Sequence, residues 1–267
     1  MISIKKAGDL KLLREGGKRH AAVMRELLVA LRPSMSAREL EDLARGLVTK
    51  HGGTPAFLNY QPRGAQRPFP AALCVSINEE IVHGIPNEED KIIKEGDLVT
   101  LDLGFCYKGM ITDMAVTVAV GKVDEKSLAL MDATKKALAA GIKAAKCGNR
   151  IGDIGATIEK TIKRAGFEVV SGLAGHGVGY KVHEEPFVPN SGVAGKGEVL
   201  RKGMVLAIEP MASMGSPEIR LKKDGYTYCT ADNSLSAHFE HTIAITADKP
   251  VILTQERSIF WIGEDCG

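Results

Sequence analysis

Four acidic residues stand where a chain normally keeps charge out. Asp102 lies in DLVTLDLGF, Asp113 in MITDMAVTV, Glu209 in MVLAIEPMA and Glu240 in SAHFEHTIAIT, each within apolar, strand-forming surroundings. Between the first two runs GFCYKGMI, whose Tyr107-Lys108-Gly109 reads as a tight hairpin turn. With their midpoint at Tyr107 and Lys108, Asp102 and Asp113 are expected to face one another nearly directly. Like charges in that position destabilise a hairpin, and a buried pair without a cation has to take up protons. A slipped register that turns one acid to solvent is the alternative for this pair alone. Glu209 and Glu240 weigh against it, because four carboxylates brought together require positive charge, which divalent metals supply. A carboxylate-rich set with one or two imidazoles suits Mn²⁺, Fe²⁺ or Co²⁺, singly or as a pair, better than a structural zinc site. Two such ions sharing a water make it acidic near neutral pH, which is hydrolytic chemistry.

The imidazoles come from GHGVGYKVHEEP, residues 175–186, where His176 and His183 are seven positions apart. Gly175, Gly177 and Gly179 have the spacing of a phosphate cradle, but such a cradle follows a strand and opens a helix. Here the glycines run on to Tyr180-Lys181-Val182-His183 and Pro186, which reads as extended chain. One histidine can ligate metal and the other can touch a substrate, while the glycines let backbone approach a crowded cleft.

The elements that position these groups repeat. Leu10, Leu13, Val23, Met24, Leu27, Leu28 and Leu31 recur with helical period until Pro33. A second helix opens at Ser36, with Glu39 at capping-box spacing, and stops at Gly52-Gly53. Residues 128–170 repeat this plan, with one helix to Gly148 and another from about Gly152 to near Gly166. In the strand-rich parts, Asp102 follows Gly96 by six residues and Glu209 follows Gly203 by six. Each segment is preceded by a His and a nearby Pro, His83 with Pro86 and His183 with Pro186. Residues 1 to about 121 and about 122 to 250 therefore read as a duplicated helix-helix-strand unit in one α+β domain, with a tail over 251–267. Two copies of that length are too long and too few for a solenoid.

Composition narrows the class. The 267 residues carry a formal charge of +2, too little to imply a nucleic-acid or membrane surface, so neither DNA nor a membrane is an expected partner. No continuous apolar segment opens the chain, so neither a signal peptide nor a spanning helix is expected. Cys74, Cys106, Cys147, Cys229 and Cys266 are odd in number and lack a Cys-x-x-Cys pair, as suits reduced thiols in the cytoplasm.

In order and spacing, NEEIVHGIP, LDLGFCYKGMITDMAVT, GHGVGYKVHEEP, AIEPM and SAHFEHTIAIT resemble the methionine aminopeptidases, over roughly residues 1–250. The resemblance implies the pita-bread fold, with pseudo-twofold halves around a central antiparallel sheet. It implies that Asp102, Asp113, His176, Glu209 and Glu240 hold two divalent ions (Co, Mn, Fe or Zn), with Asp113 and Glu240 bridging. Glu209 would act on the nucleophilic water, and His83 and His183 would position the peptide and stabilise the tetrahedral intermediate; His241 reads as structural. The activity implied is removal of the first methionine from nascent proteins whose second residue is small. The 31 residues from Glu209 to Glu240 leave no room for the helical insertion of type II enzymes, so the chain is similar to bacterial type I members, with a monomer expected. Cys74 and Phe69 fall where the family lines its methionine pocket and Tyr226 stands there in place of the common Trp, whereas Val182, Gln66 and Arg63 replace the usual Phe, Tyr and Cys.

Prolidases and aminopeptidase P share fold and ligands but carry an additional N-terminal domain. A non-catalytic pita-bread protein would lack ligands, and a serine hydrolase would need a Gly-x-Ser-x-Gly elbow that is absent. Arg220, Lys222 and Lys223 beside Asp224-Gly225 could contact ribosomal RNA or simply form a solvated hairpin tip.

Overall fold

Each helix begins where a short acidic side chain can satisfy free backbone N–H groups. The computed structural model describes residues 2–62 and 64–255. Helix α1 (Ala7–Ala30) opens with Lys6 N–H donating to Asp9, α2 (Ala37–Lys50) with the reciprocal Ser36–Glu39 box, α3 (Glu125–Ala144) with Asp124 accepting from Ser127 N–H, and α4 (Ile151–Arg164) with Arg150 N–H donating to Asp153. Helix α3 stops at Ala144 rather than running to Gly148. There Asn149 Nδ2 donates to the Ala144 carbonyl and Gly148 N–H pairs with Leu200, so the chain is drawn out of the helix.

After α2 come β1 (Thr54–Pro55), β2 (Leu73–Ile77), β3 (Glu80–Val82), β4 (Leu98–Tyr107) and β5 (Met110–Ala119). After α4 come β6 (Glu168–Val169), β7 (Ala174–Gly177), β8 (Glu184–Pro189), β9 (Val205–Ile208), β10 (Met211–Ser213), β11 (Ile219–Leu221), β12 (Tyr228–Thr230), β13 (Ser236–His238), β14 (His241–Ala244) and β15 (Val251–Ile252). The order helix, helix, strands thus occurs twice. The strands form four antiparallel sheets: β1-β4-β2 with β5 on β4, β13-β10-β6, β11-β12-β3, and β15-β14-β9-β7-β8.

One apolar core joins both helix pairs to the strands, including Leu27, Leu40, Leu98, Leu101, Ile158 and Leu206, all fully buried. Each such side chain contributes roughly 1.5–3 kcal/mol on leaving water. Two threonines knit the halves together. Thr242 Oγ1 accepts from Asp113 N–H at 2.7 Å and donates to the Asp113 carbonyl at 2.8 Å. Thr117 Oγ1 does the same for His238, at 2.8 Å in both directions. Glu240 N–H adds a bond to the Ala115 carbonyl.

A tail departing at Pro250 does not describe the next few residues, since Val251 and Ile252 pair with Ala244 and Ile243 and Leu253 is buried. The single Trp and the acidic end lie outside the described residues. Among the described residues no helix is long and apolar enough to cross a membrane.

Candidate metal centre and its cavity

Strand β4 carries Asp102 and β5 carries Asp113, but they do not face one another. Tyr107 pairs with Met110 across a Lys108-Gly109 turn, so Asp102 lies opposite Ala115 and Asp113 opposite Gly104. The direct opposition expected from the sequence is therefore wrong by two residues. The turn needs two consecutive left-handed residues, and Lys108 (φ 49°) and Gly109 (φ 80°) supply them. A two-residue offset keeps both acids on one face of the ribbon as diagonal neighbours, close enough to interact.

Glu209 leaves the end of β9, where Pro210 breaks the strand and Asn190 Nδ2 donates to the Glu209 carbonyl at 3.0 Å. Glu240 occupies the gap between β13 and β14. His176 on β7 turns Nδ1 to the Gly177 carbonyl at 2.9 Å. A carbonyl only accepts, so Nδ1 carries the hydrogen and Nε2 presents its lone pair. That lone pair faces Glu209 Oε1 at 3.4 Å and Asp113 Oδ2 at 3.9 Å. Ligand atoms of Asp113, His176 and Glu240 all lie within 4.8 Å of one another.

The electrostatics of this cluster call for a cation. Burial pushes the Asp102 carboxyl up to about 7. Burial and repulsion among the acids lift Asp113, Glu209 and Glu240 well above the carboxylate range. Burial pushes His176 down to about 3, so its lone pair is free. Asp102 Oδ1 and Glu240 Oε1 are buried with no hydrogen-bond partner among the described residues. Acceptors facing acceptors in a buried site are costly, and coordination to divalent ions satisfies all of them together. The donor set of four carboxylates and one imidazole fits such ions.

The cluster floors a cavity of about 1170 Å³ that is also lined by His83, His183, Phe69, Cys74 and Tyr226. His83 follows β3 with φ 58°, an uncommon backbone for a residue with a Cβ, and burial pushes its ring down to about 4. His183 sits edge-on to His176, ring centroids 4.5 Å apart, and burial lowers its pKa too. Phe57, Phe69, Ala71, Cys74, Ile85, Val182 and Tyr226 form a separate apolar cluster along one wall. Phe69 and Tyr226 meet edge to face at 5.2 Å, and the Tyr226 hydroxyl donates to the Arg67 carbonyl. Gln66 is exposed and absent from the lining, and Arg63 lies outside the described residues.

Glycines at Gly175 and Gly177 serve strand packing. A Cβ on either would fall 2.2–2.3 Å from the carbonyl oxygen of Ala207 or Glu185, and no helix opens after them.

Several contributors escaped the sequence reading. Tyr60 packs its ring against His183 and bonds Nδ1 through its hydroxyl at 3.1 Å. Glu41 on α2 accepts from Ala72 and Leu73 N–H and so fixes the start of β2, whose Cys74 pairs with Asp102. Lys5, almost fully buried, bonds Glu184 at 2.7 Å, and Glu184 also accepts from Tyr180 and Lys181 N–H beside His183. None of these has a periodic signal, because each acts across a long stretch of chain. His241 behaves as expected of a structural residue, its Nδ1 bonded to Thr254 Oγ1 at 3.0 Å. The basic cluster is largely spoken for: Lys222 pairs with Glu80 and Glu89, and Arg220 with Asn233, as at an ordinary hairpin tip.

The class follows from the sequence comparison as well as from this geometry. The profile of metallopeptidase family M24 matches residues 11–247, and the chain belongs to that family. A protein from Aquifex aeolicus named methionine aminopeptidase is 45% identical over 249 residues, covering 92% of this chain and 96% of the relative. The crystal structure of methionine aminopeptidase from Thermotoga maritima superimposes with a TM-score of 0.91 at 43% identity, covering 96% of this chain and all of that one. A prolidase from Pyrococcus furiosus, at 22% identity and TM-score 0.74, shares the fold. This chain spans 66% of it.

Proposed function

We propose that this protein hydrolyses the first peptide bond of chains beginning with methionine, in a metal-dependent reaction that requires a small second residue. The observation that carries the proposal is the meeting of Asp102, Asp113, His176, Glu209 and Glu240 on the floor of a cavity with an apolar, sulfur-compatible wall. The near-full-length likeness to proteins named methionine aminopeptidase supports the same reading.

These five residues would hold two divalent ions. When bound, the ions supply Lewis acidity and a water that is acidic near neutral pH. The protein's own groups then divide the remaining work. The wall of Phe69, Cys74 and Tyr226 takes the methionine side chain, since thioethers pack well against aromatic edges. His83 and His183, both held neutral by burial, can donate a hydrogen bond to the scissile carbonyl oxygen. Glu209, whose carboxyl lines the cavity beside His176, can hold a proton from the attacking water and deliver it to the leaving amine. The free Cys74, Cys106, Cys147 and Cys229 suit a reducing cytoplasm, where nascent chains are found.

The test is cleavage of Met-Ala-Ser and Ala-Pro-Ser peptides by metal-stripped protein, with and without Mn²⁺ or Co²⁺, read by mass spectrometry. Loss of methionine only when metal is added is the expected result; cleavage at Ala-Pro would overturn the substrate assignment. Glu209→Gln should lower turnover about 100- to 10,000-fold. Near-full turnover by that variant with metal bound would remove Glu209 from the proton step.

A further inference from the structure

His238 is 1% exposed, lies outside the cavity lining, and among the described residues neither of its ring nitrogens has a hydrogen-bond partner. Its backbone is held at both ends of the peptide by Thr117 Oγ1, and it pairs with Met211 across β10 and β13. The next residue, Phe239, donates its N–H to the Pro210 carbonyl at 3.3 Å. The side chain is thereby brought to the Glu209-Pro210-Met211 corner. Its Nε2 comes to 3.6 Å from Glu209 Oε2, while the other oxygen of the same carboxyl, Oε1, lies 3.4 Å from His176 Nε2.

The two oxygens of Glu209 thus have different neighbours. Oε1 faces His176 and the acid cluster, and Oε2 faces a buried ring that needs a partner. A neutral imidazole offers one N–H and one lone pair. An N–H on Nε2 is a donor aimed at Oε2, and a shift of a few tenths of an ångström brings 3.6 Å into ordinary hydrogen-bond range.

We propose that His238 is a positioning residue for Glu209: its Nε2–H donates to Oε2 and keeps Oε1 turned toward His176 and Asp113. The proposal deepens the reading of Glu209 given above and rests on it. Without the donor the carboxyl is free to rotate about its terminal torsion, which is soft. The site then retains its ligands but loses the orientation of the group that handles the proton. A group that orients a metal-binding side chain tunes both metal affinity and activity when it is removed.

Two measurements test it. The first compares His238→Leu, which removes the donor at similar bulk, with His238→Gln, which restores an N–H. Peptide hydrolysis and calorimetric metal binding are measured on both. His238→Leu should lower kcat about 10- to 100-fold with KM unchanged and weaken metal binding no more than Glu209→Gln does, and His238→Gln should recover most of both losses. Unchanged kcat in His238→Leu, equal impairment of both variants, or a loss of metal affinity larger than that of Glu209→Gln would each overturn the proposal, the last because it exceeds what turning Glu209 away can cause. The second needs no variant. In wild-type protein labelled with ¹⁵N-histidine and loaded with diamagnetic Zn²⁺, the His238 ring should be neutral with its hydrogen on Nε2. A hydrogen on Nδ1 would overturn the assignment even if His238→Leu failed to fold. The two readings fail separately. An active Glu209→Gln ends the role of Glu209, whereas an inactive Glu209→Gln with a fully active His238→Leu ends only that of His238.

Discussion

The two halves deliver their acids by different constructions. In the first, Asp102 and Asp113 sit inside unbroken ten-residue strands joined by a two-residue turn. In the second, Glu209 and Glu240 sit in gaps, one between β9 and β10 and the other between β13 and β14. A continuous ribbon aims side chains by alternation alone, and its register settles which residues share a face. A broken strand aims its residue by changing direction, which frees a longer side chain from the pleat. The shorter Asp serves where the backbone is straight, and the longer Glu where it bends. Chain duplication thus preserves the chemistry of a position more faithfully than its local geometry. The seam shows the same economy, with Thr242 bonding both backbone groups of Asp113 and Thr117 both of His238.

The largest effect should come from neutralising one acid from each construction. Asp113→Asn and Glu240→Gln are both expected to abolish metal-dependent turnover and the calorimetric signal of metal binding. If one of them kept full metal affinity, the two halves would not be equal contributors. Metal-free Glu240→Gln should at the same time melt higher than metal-free wild type near pH 7.5, because it removes one of four mutually repelling groups.

The next effect is on pH dependence. A carboxyl whose folded pKa is raised contributes stability that is present below its unfolded value and lost as pH rises through the folded one. Asp102 moves from 3.8 to about 7, and Asp113, Glu209 and Glu240 move in the same direction. The buried His176, His238 and His241 move from 6.5 to about 3, so they oppose folding as pH falls below 6.5. Above pH 6.5 the histidines no longer oppose folding, the four clustered acids dominate, and the melting temperature of metal-stripped protein should fall toward pH 8.5. Added Mn²⁺ should reverse that fall, and a flat profile in scanning calorimetry would contradict the clustering of the four acids.

The smallest effect separates the hairpin from the broken strands. Gly109→Ala places a Cβ at φ 80° with open space around it, so only backbone strain of about 1–2 kcal/mol is lost from stability. kcat should not change, because the long pairing of β4 with β5 holds the register once formed. A loss of metal affinity in Gly109→Ala would mean that the turn governs the placement of the acids more directly.

Much of this was legible along the chain. Ser36 with Glu39 marked α2, Pro33 ended the first helical pattern, and charges within apolar runs marked all four acids. Such signals are local, a matter of spacing and side-chain type within a few residues. The offset of Asp102 from Asp113 was not legible, because the midpoint of two residues does not reveal which pair of backbones enters the left-handed region. His238 passed unnoticed between Ala237 and Phe239, where alternation gives a histidine no distinction. Tyr60, Glu41 and Lys5 act on His183, β2 and Glu184 at separations of 123, 32 and 179 residues. The sequence by itself determined the helices, the repeated order of elements, and the acidic and imidazole residue types found in the buried cluster. Only the tertiary structure decided which lone pairs face one another, since that depends on register, strand breaks and the closing of long loops.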